Sequence, residues 1–150
     1  MDRLELIARL LHAASTLSLS TCDAAGTPCV APLFYLADDD LCLYWFSSSS
    51  SRHSRNLKAN PAAAVAVYRP TSDWKKICGV QMSGEVSVVR DRARRDSLAR
   101  SYSERFGLGN LFRTAISHSS LYQFRPSWVR YIDNSVRFGY KFELDAPVGR

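Results

Sequence analysis

Five consecutive serines, residues 47–51, precede Arg52 and His53, and this segment has the residue types needed to bind a charged ligand. Ser51 can cap a helix that begins at Arg52, and a helix N-terminus offers unpaired backbone N–H groups with a partial positive charge. Serine hydroxyls add hydrogen-bond donors, and the fork of an arginine guanidinium matches phosphate oxygens. The segment therefore predicts a phosphomonoester site. The same residues are also consistent with a capped helix end that faces water.

The helix after this segment belongs to an alternation of short strands and helices that predicts an α+β architecture built on an antiparallel β-barrel. Asn60 and Pro61 end the helix, because the residue before a proline avoids the α conformation. The predicted helices cover residues 2–14, 52–59, 91–106 and 111–116. The predicted strands cover residues 16–22, 30–36, 41–46, 62–68, 74–89, 121–124, 128–132 and 136–144. Asp133 and Asn134 predict a tight hairpin, and residues 145–150 a loose tail.

The composition limits the function classes that are open to the chain. Its 150 residues are 46% hydrophobic and 23% charged, which predicts a single globular domain over residues 1–150 rather than a disordered chain. No apolar run approaches the ~20 residues that span a bilayer, and the first residues lack the apolar core of a signal peptide, so we expect a cytoplasmic protein. The net charge of +6 favours an anionic ligand, which could be a phosphate, a nucleotide or a nucleic acid.

Two further groups of residues carry weaker signals. The four cysteines have no C-x-x-C spacing and no suitably placed histidines, which predicts buried, reduced thiols rather than zinc ligands. A group of arginines around the third helix alternates with acidic residues and predicts a solvated helix face. The cysteines are Cys22, Cys29, Cys42 and Cys78, and the arginines are Arg90, Arg92, Arg94, Arg95 and Arg100.

Residues 46–68 resemble the FMN-binding split-barrel superfamily typified by pyridoxamine 5′-phosphate oxidase. The shared features are a strand, a Ser-Arg phosphate grip, a short helix, the pair Asn60-Pro61 and an alanine-rich strand. Residues 19–28 resemble the opening hairpin of that family. Three further motifs are similar to its YhbP-like branch: Gly79-Val80-Gln81-Met82-Ser83-Gly84-Glu85, Asp133-Asn134 and Phe138-Gly139-Tyr140-Lys141. The resemblance covers nearly the whole chain and implies an antiparallel split β-barrel of six or seven strands with short flanking helices.

The resemblance implies a homodimer that binds flavin mononucleotide (FMN) at its interface. It implies that the second strand lines the isoalloxazine, that the end of the third strand touches the ribityl chain and phosphate, and that the start of the helix holds the phosphate. In that order these residues are Ala31, Pro32, Leu33 and Phe34; Phe46 and Ser47; and Ser51, Arg52 and His53. It also implies a flavin contact from Gln81, and one from Lys141 to the flavin of the second subunit.

The resemblance further implies a flavin-dependent oxidoreductase that passes electrons between a reduced nicotinamide and a small acceptor. Residues after Phe142 show no basic, histidine-containing motif for a substrate phosphate, so we expect no pyridoxamine-phosphate oxidase activity. Two alternatives stay open, because a fold does not fix its chemistry. One is a carrier barrel for FMN, haem or a deazaflavin. The other is a basic nucleic-acid-binding barrel, although alternation places Trp45 on the opposite face from Tyr44 and Phe46 and weakens a stacking platform.

Overall fold

A computed structural model of the protein describes residues 1–146. The helices in this range are α1 (Arg3–Ala13), α2 (Arg52–Ala59), α3 (Arg92–Phe106) and α4 (Asn110–Ser117). The strands are β1 (Thr16–Cys22), β2 (Pro28–Phe34), β3 (Leu36–Ala37), β4 (Leu43–Ser47), β5 (Ala62–Tyr68), β6 (Cys78–Val88), β7 (Ser120–Asp133) and β8 (Lys141–Asp145). Over the same residues, no helix combines the length and the apolar character needed to cross a membrane.

The strands form one antiparallel sheet in the order β2-β1-β5-β6-β7-β4-β3, with β8 paired to the second half of β7. β2 and β3 lie at opposite ends of this order, yet only Tyr35 separates them along the chain. The sheet must therefore curl until its two ends come together, which produces the barrel. The predicted α+β split barrel with flanking helices is confirmed, and β3 is a two-residue strand that the sequence pattern does not reveal.

The curled sheet encloses an apolar core that α1 covers. Alternate residues of β1, β5 and β6 point inward, which gives a buried side chain at every second position over most of each strand. Trp45 and Phe124 are fully buried inside the barrel, and Ile7, Leu10 and Leu11 bring the apolar face of α1 onto the same cluster. A second apolar cluster lies on the other side of β4, where α3 and α4 cover the sheet.

The long strand β7 replaces two separate predicted strands. Residues 121–124 and 128–132 belong to this one strand, because Pro126 pairs with Gly84 at a register shift instead of ending the strand. A Cβ on Gly84 would lie 2.1 Å from the carbonyl oxygen of Arg125. Glycine is therefore required at this position, where the two backbones approach closely.

The turn between β7 and β8 also differs from the prediction. The tight hairpin predicted at Asp133 and Asn134 is wrong, and the strand predicted over 136–144 is confirmed only from Lys141 onward, because residues 134–140 form a longer loop before β8. The backbone N–H of Asn134 donates to the carbonyl oxygen of Ile77 at 2.9 Å, and its side-chain amide donates to that of Trp74 at 2.9 Å. The Oδ1 of Asn134 accepts from the N–H of Gly139 at 3.1 Å. These bonds hold the loop against residues 74–77 and exclude a two-residue turn.

Two predicted strands begin later than expected. The strand predicted over 74–89 begins at Cys78, because Asp73 caps a 3₁₀ turn over Trp74–Lys76. The strand predicted over 41–46 begins at Leu43, since Leu41 has a positive φ of 63° and completes the turn that precedes β4. The interruptions are local, so the pairing of both strands with their neighbours is kept.

Two of the four cysteines are buried as predicted, and the C-terminal tail begins later than predicted. Cys42 and Cys78 are buried, whereas Cys22 and Cys29 are only half-buried because they lie on the β1–β2 hairpin. The predicted tail 145–150 begins too early, since Asp145 is the last residue of β8 and pairs with β7. Residues 147–150 of that tail lie outside the described residues.

Candidate functional site

The connection from β4 to α2 places several serines around the first turn of α2. β4 ends at Ser47, and the backbone N–H of Ser51 donates to the carbonyl oxygen of Ser48 at 3.1 Å across the turn. Ser51 is the N-cap of α2, as the sequence predicts, and its Oγ accepts from the backbone N–H of Ser54 at 3.3 Å. The serine run is therefore an ordered turn that leads directly into the helix.

His53 lies in the first turn of α2 and contacts two of these serines. Its Nε2 is 2.6 Å from the Oγ of Ser47 and 3.1 Å from the Oγ of Ser51. The ring is half-buried, and this burial lowers the pKa of His53, which favours the neutral imidazole. In the tautomer with its proton on Nε2, the ring donates to the Oγ of Ser47 and leaves the hydrogen of that hydroxyl free for a ligand, while the Ser51 hydroxyl donates to the carbonyl oxygen of Ser48 at 2.9 Å. The three side chains thus form one hydrogen-bonded group.

The first two backbone N–H groups of α2 are free to bind a ligand. Among residues 1–146, neither the N–H of Arg52 nor that of His53 makes a hydrogen bond, whereas the following two N–H groups both donate to Ser51. The first turn also contains no acidic side chain. Free N–H groups at this end of a helix carry its positive pole. Together with the hydroxyls, they form a donor-rich surface suited to an anion.

Two arginines stand beside this surface with different roles. Arg55 supports the turn, because its Nη1 donates to the carbonyl oxygen of Ser50 at 2.8 Å. The exposed guanidinium of Arg52 makes no hydrogen bond or ion pair within the described part of the chain. The pKa of Asp23, in the β1–β2 turn, is lowered mainly by the hydrogen bond from the backbone of Thr27, and the charge of Arg52 contributes to the same effect. The Arg52 guanidinium therefore remains available to an anion.

A buried hydrogen bond fixes α2 on the sheet. The Nδ2 of Asn56 donates to the Oγ1 of Thr21 at 3.0 Å, and both residues are buried. Leu57 beside them packs into the main core. This pair is absent from the predicted site, and its only sequence signal is an asparagine inside a helix, where that residue is a weak helix former. It positions the helix end that carries the donors.

The edge strand β2 carries the residues predicted to line an isoalloxazine. Phe34 stacks on Phe106 of α3 with ring centroids 4.5 Å apart, and its carbonyl oxygen accepts from the hydroxyl of Tyr102 at 3.2 Å. Tyr102 also packs edge-on against Phe46, with centroids 5.3 Å apart. α3 therefore joins the ends of β2 and β4. The remaining predicted residues of β2 alternate between half-buried and exposed: Ala31 and Leu33 are half-buried and Pro32 is exposed.

The sequence matches the model of a known protein family. A family model described as pyridoxamine 5′-phosphate oxidase matches residues 4–133. The chain belongs to the pyridoxamine 5′-phosphate oxidase family. A UPF0306 protein of Cronobacter sakazakii is 28% identical to it over 142 residues, which are 94% of each chain.

Two solved structures share the family fold. The heme binding protein from Mycobacterium smegmatis has a TM-score of 0.75 and 20% identity, over 99% of this chain and 60% of that chain. HutZ, the heme storage protein from Vibrio cholerae, has a TM-score of 0.69 and 24% identity, over 83% of this chain and 91% of that chain. At these identities the likeness concerns the fold.

Two residues that the oxidase resemblance links to the flavin lie outside the group around His53. Gln81 is exposed on the outer face of β6, between Ala66 of β5 and Arg130 of β7 in the strand register. Lys141 is exposed at the start of β8. Within residues 1–146, neither side chain makes a hydrogen bond to residues 47–53. The described chain thus brings Ser47, Ser51 and His53 together beside Arg52, and neither Gln81 nor Lys141 is bonded to that group.

Proposed function

We propose that the protein binds FMN and acts as an oxidoreductase that passes electrons between a reduced nicotinamide and a small acceptor. The observation that carries this proposal is the donor surface at the start of α2. It combines the free N–H groups of Arg52 and His53 with the hydroxyl of Ser47, at a helix start that Ser51 caps. A phosphomonoester such as the end of FMN offers oxygens that accept from all of these donors. When bound, a flavin supplies the electron-transfer chemistry.

The residues at this surface fit a flavin phosphate because their charge is suitable and because their positions are fixed before the ligand binds. No acidic side chain occurs in the first turn of α2, and the Arg52 guanidinium has no partner within residues 1–146. The buried bond between Asn56 and Thr21 holds the helix in place before any ligand arrives. Donors that are already ordered lose little conformational entropy on binding.

The edge strand β2 supports the position that we propose for the isoalloxazine, against residues 31–34. In the described part of the chain, β2 pairs with β1 alone, so the groups on its other edge are not used by the sheet. An unpaired strand edge offers both backbone donors and backbone acceptors. The polar rim of a flat heterocycle requires both kinds of group. Phe46 and Ser47 at the end of β4 are proposed to meet the ribityl chain between this edge and the phosphate.

The outer face of the sheet supports the proposal of a homodimer. Small side chains face outward at paired positions of three neighbouring strands, and large apolar side chains are exposed beside them. A flat patch of small side chains with exposed large apolar residues beside it is a suitable surface for an interface. We propose that a second copy packs here, and that Gln81 and Lys141 reach a flavin only in the dimer. The small residues are Ser18, Ser20, Ala64, Ala66 and Ser83, and the exposed apolar ones are Val30, Phe34 and Tyr68.

Sedimentation velocity tests the dimer. The wild-type protein is expected to sediment at twice the 16.8 kDa chain mass. Ala66→Arg introduces a charge on the outer face and is expected to give monomers, whereas Ala93→Arg, on the exposed side of α3, leaves the dimer intact. A wild-type monomer that still retains flavin contradicts this part of the proposal.

The visible spectrum of the purified protein tests the cofactor. Flavin absorption bands in the protein as isolated, or after FMN is added and the excess removed, are the expected result. Anaerobic addition of reduced nicotinamide should then bleach these bands, which shows electron transfer to the bound cofactor. A protein that stays colourless with FMN contradicts the proposal, and bound FMN that is never bleached supports a carrier instead of an oxidoreductase.

Haem is the second candidate, because two proteins of the same fold are described as haem-binding or haem storage proteins. On this chain the start of α2 is rich in serine and arginine, and the Nε2 of His53 already contacts two serine hydroxyls. These contacts favour a phosphate ligand. A strong Soret band without flavin bands supports the haem carrier. Deazaflavin fluorescence supports that cofactor, and a colourless protein that binds an oligonucleotide supports the nucleic-acid alternative.

A further inference from the structure

A cleft of about 770 Å³ lies between α3 and α4, apart from the flavin site. Cavities of about 300–1,000 Å³ accommodate most small organic ligands. None of the residues predicted to contact FMN lines this cleft. It is therefore a separate space, and its lining determines what it can bind.

The side of α3 that faces the cleft is polar. Two packed helices normally meet through apolar stripes. Here the α3 residues that line the space recur at helical spacing but are mostly charged, so α4 does not close onto them. They are Arg92, Arg95, Asp96, Ala99, Arg100, Ser103 and Glu104. α4 is instead held at one end, where the buried Ile116 packs into the cluster around Tyr102 and its carbonyl oxygen accepts from Arg95 at 3.0 Å.

The charge of the lining favours an anion. Four arginines and two acidic residues surround the cleft, and none of them forms an ion pair within the described residues. Asp96 and Glu104 follow Arg92 and Arg100 by one helical turn and offset part of this charge, so four arginines and two carboxylates leave a net charge of +2, to which a carboxylate or phosphate can bind through charge-assisted hydrogen bonds. The arginines are Arg92, Arg95, Arg100 and Arg113, and the acidic residues are Asp96 and Glu104.

Part of the lining is apolar. Ala99 and Leu108 are half-buried, and Ile116 is buried, at the side where the cleft meets the second apolar cluster. The guanidinium of Arg95 lies 5.2 Å from the centre of the Phe46 ring. The charged part of the cleft lining is therefore in contact with the second apolar cluster. A ligand that matches both parts carries an anionic head on an apolar body.

We infer that the cleft between α3 and α4 is a binding site for a small organic oxyanion, a carboxylate or phosphate on an apolar body. The sequence pattern predicts a solvated face for the arginines of α3, and Arg92, Arg94 and Arg100 are exposed as predicted. Arg95 is half-buried and bonded to α4, and the exposed Arg92 and Arg100 line a shared space with Arg113. The site does not depend on the proposed flavin site, since the two share no lining residue.

Isothermal titration of the purified protein with hexyl phosphate, heptanoate and hexanol tests this inference. Saturable binding of at least one acid is expected, and hexanol, which lacks the anion, should bind at least about tenfold more weakly. The two acids distinguish a phosphate head from a carboxylate head. The double variant Arg100→Ala/Arg113→Ala should weaken binding of the acid by about tenfold or more, because both guanidinium groups are lost.

Arg9→Ala removes an exposed arginine from α1 and serves as the matched control, with wild-type binding expected. FMN affinity should be the same in all variants, so a failure of the flavin proposal leaves this test unaffected. The inference is wrong if neither acid binds at millimolar concentration, or if the double variant binds like the control. It is also wrong if a short single-stranded oligonucleotide binds more tightly than either acid and requires the same two arginines.

Discussion

Replacing Arg52 with alanine is expected to weaken FMN binding by at least about thirtyfold while the fold is kept. The guanidinium is exposed and makes no hydrogen bond or ion pair within residues 1–146, so its removal breaks no internal contact. Ser51 still caps α2, and the bond from Asn56 to Thr21 still anchors it. The substitution is therefore expected to lower the affinity for FMN and to leave the free energy of unfolding unchanged.

The magnitude follows from the position of the side chain. Loss of a hydrogen bond to a charged group costs about 1.5–3 kcal/mol, and the exposed position of Arg52 favours the lower part of this range. A loss of about 2 kcal/mol corresponds to about thirtyfold in affinity. Arg52→Lys should recover only part of the loss, because lysine keeps the charge but not the fork. His53→Ala should cost less than Arg52→Ala, since a neutral imidazole offers a single N–H donor.

Titration of the apoprotein with FMN and with riboflavin, followed by flavin fluorescence, measures the effect. Riboflavin lacks the phosphate, so wild type and Arg52→Ala should bind it almost equally. Lys58→Ala removes the same charge from the last turn of the same helix and should leave FMN affinity unchanged, which separates a local contact from net charge. Equal FMN affinity of wild type and Arg52→Ala would refute the phosphate site and support the water-facing helix cap.

Three further predictions concern the scaffold around the site. Gly84→Ala should lower the free energy of unfolding in urea by at least about 2 kcal/mol, because its Cβ would meet the carbonyl oxygen of Arg125 at 2.1 Å; an unchanged value contradicts the close approach. Asn56→Ala should cost about 1–3 kcal/mol, because the buried Thr21 hydroxyl loses its partner; Asn56→Ala/Thr21→Val should recover part of this loss. Burial lowers the pKa of His53, so the unfolded state takes up the proton at a higher pH than the folded state. The contribution of His53 to the free energy of unfolding is therefore fully present above the unfolded pKa of about 6.5 and is lost as the pH falls below it. His53→Gln should reduce the change in urea midpoint between pH about 7.5 and about 5.5, and an unaltered change contradicts this assignment.

Local signals explain why the sequence predicts the helix cap beside the candidate site. Ser51 and Arg52 stand at adjacent positions of one helix start, so a cap and its free N–H groups follow from composition and order alone. The contact of His53 with Ser47 spans six residues and follows once the turn is formed. Alternating apolar residues also give the burial of most strand positions, because that pattern is local.

Features that depend on distant contacts are not predictable in this way. The partner of Asn56 is 35 residues away in sequence, on a different element. The sequence places Asn134 in a two-residue turn, and only its bonds to the distant Trp74 and Ile77 show that it belongs to a longer loop. The cleft beside α3 depends on the position of α4, which no periodicity in either helix encodes. Gln81 and Lys141 require a second subunit for their proposed roles, and the sequence of one chain does not give its orientation.

Backbone amide NMR can show whether the start of α2 holds the phosphate of FMN. An ¹⁵N-labelled apoprotein is titrated with FMN, with riboflavin and with inorganic phosphate. The amide signals of Arg52 and His53, which have no hydrogen-bond partner within residues 1–146, should move strongly with FMN and in the same direction with phosphate. Riboflavin should leave them nearly unmoved. Binding of FMN that shifts other residues but leaves these two amides unchanged contradicts binding of the phosphate at this position.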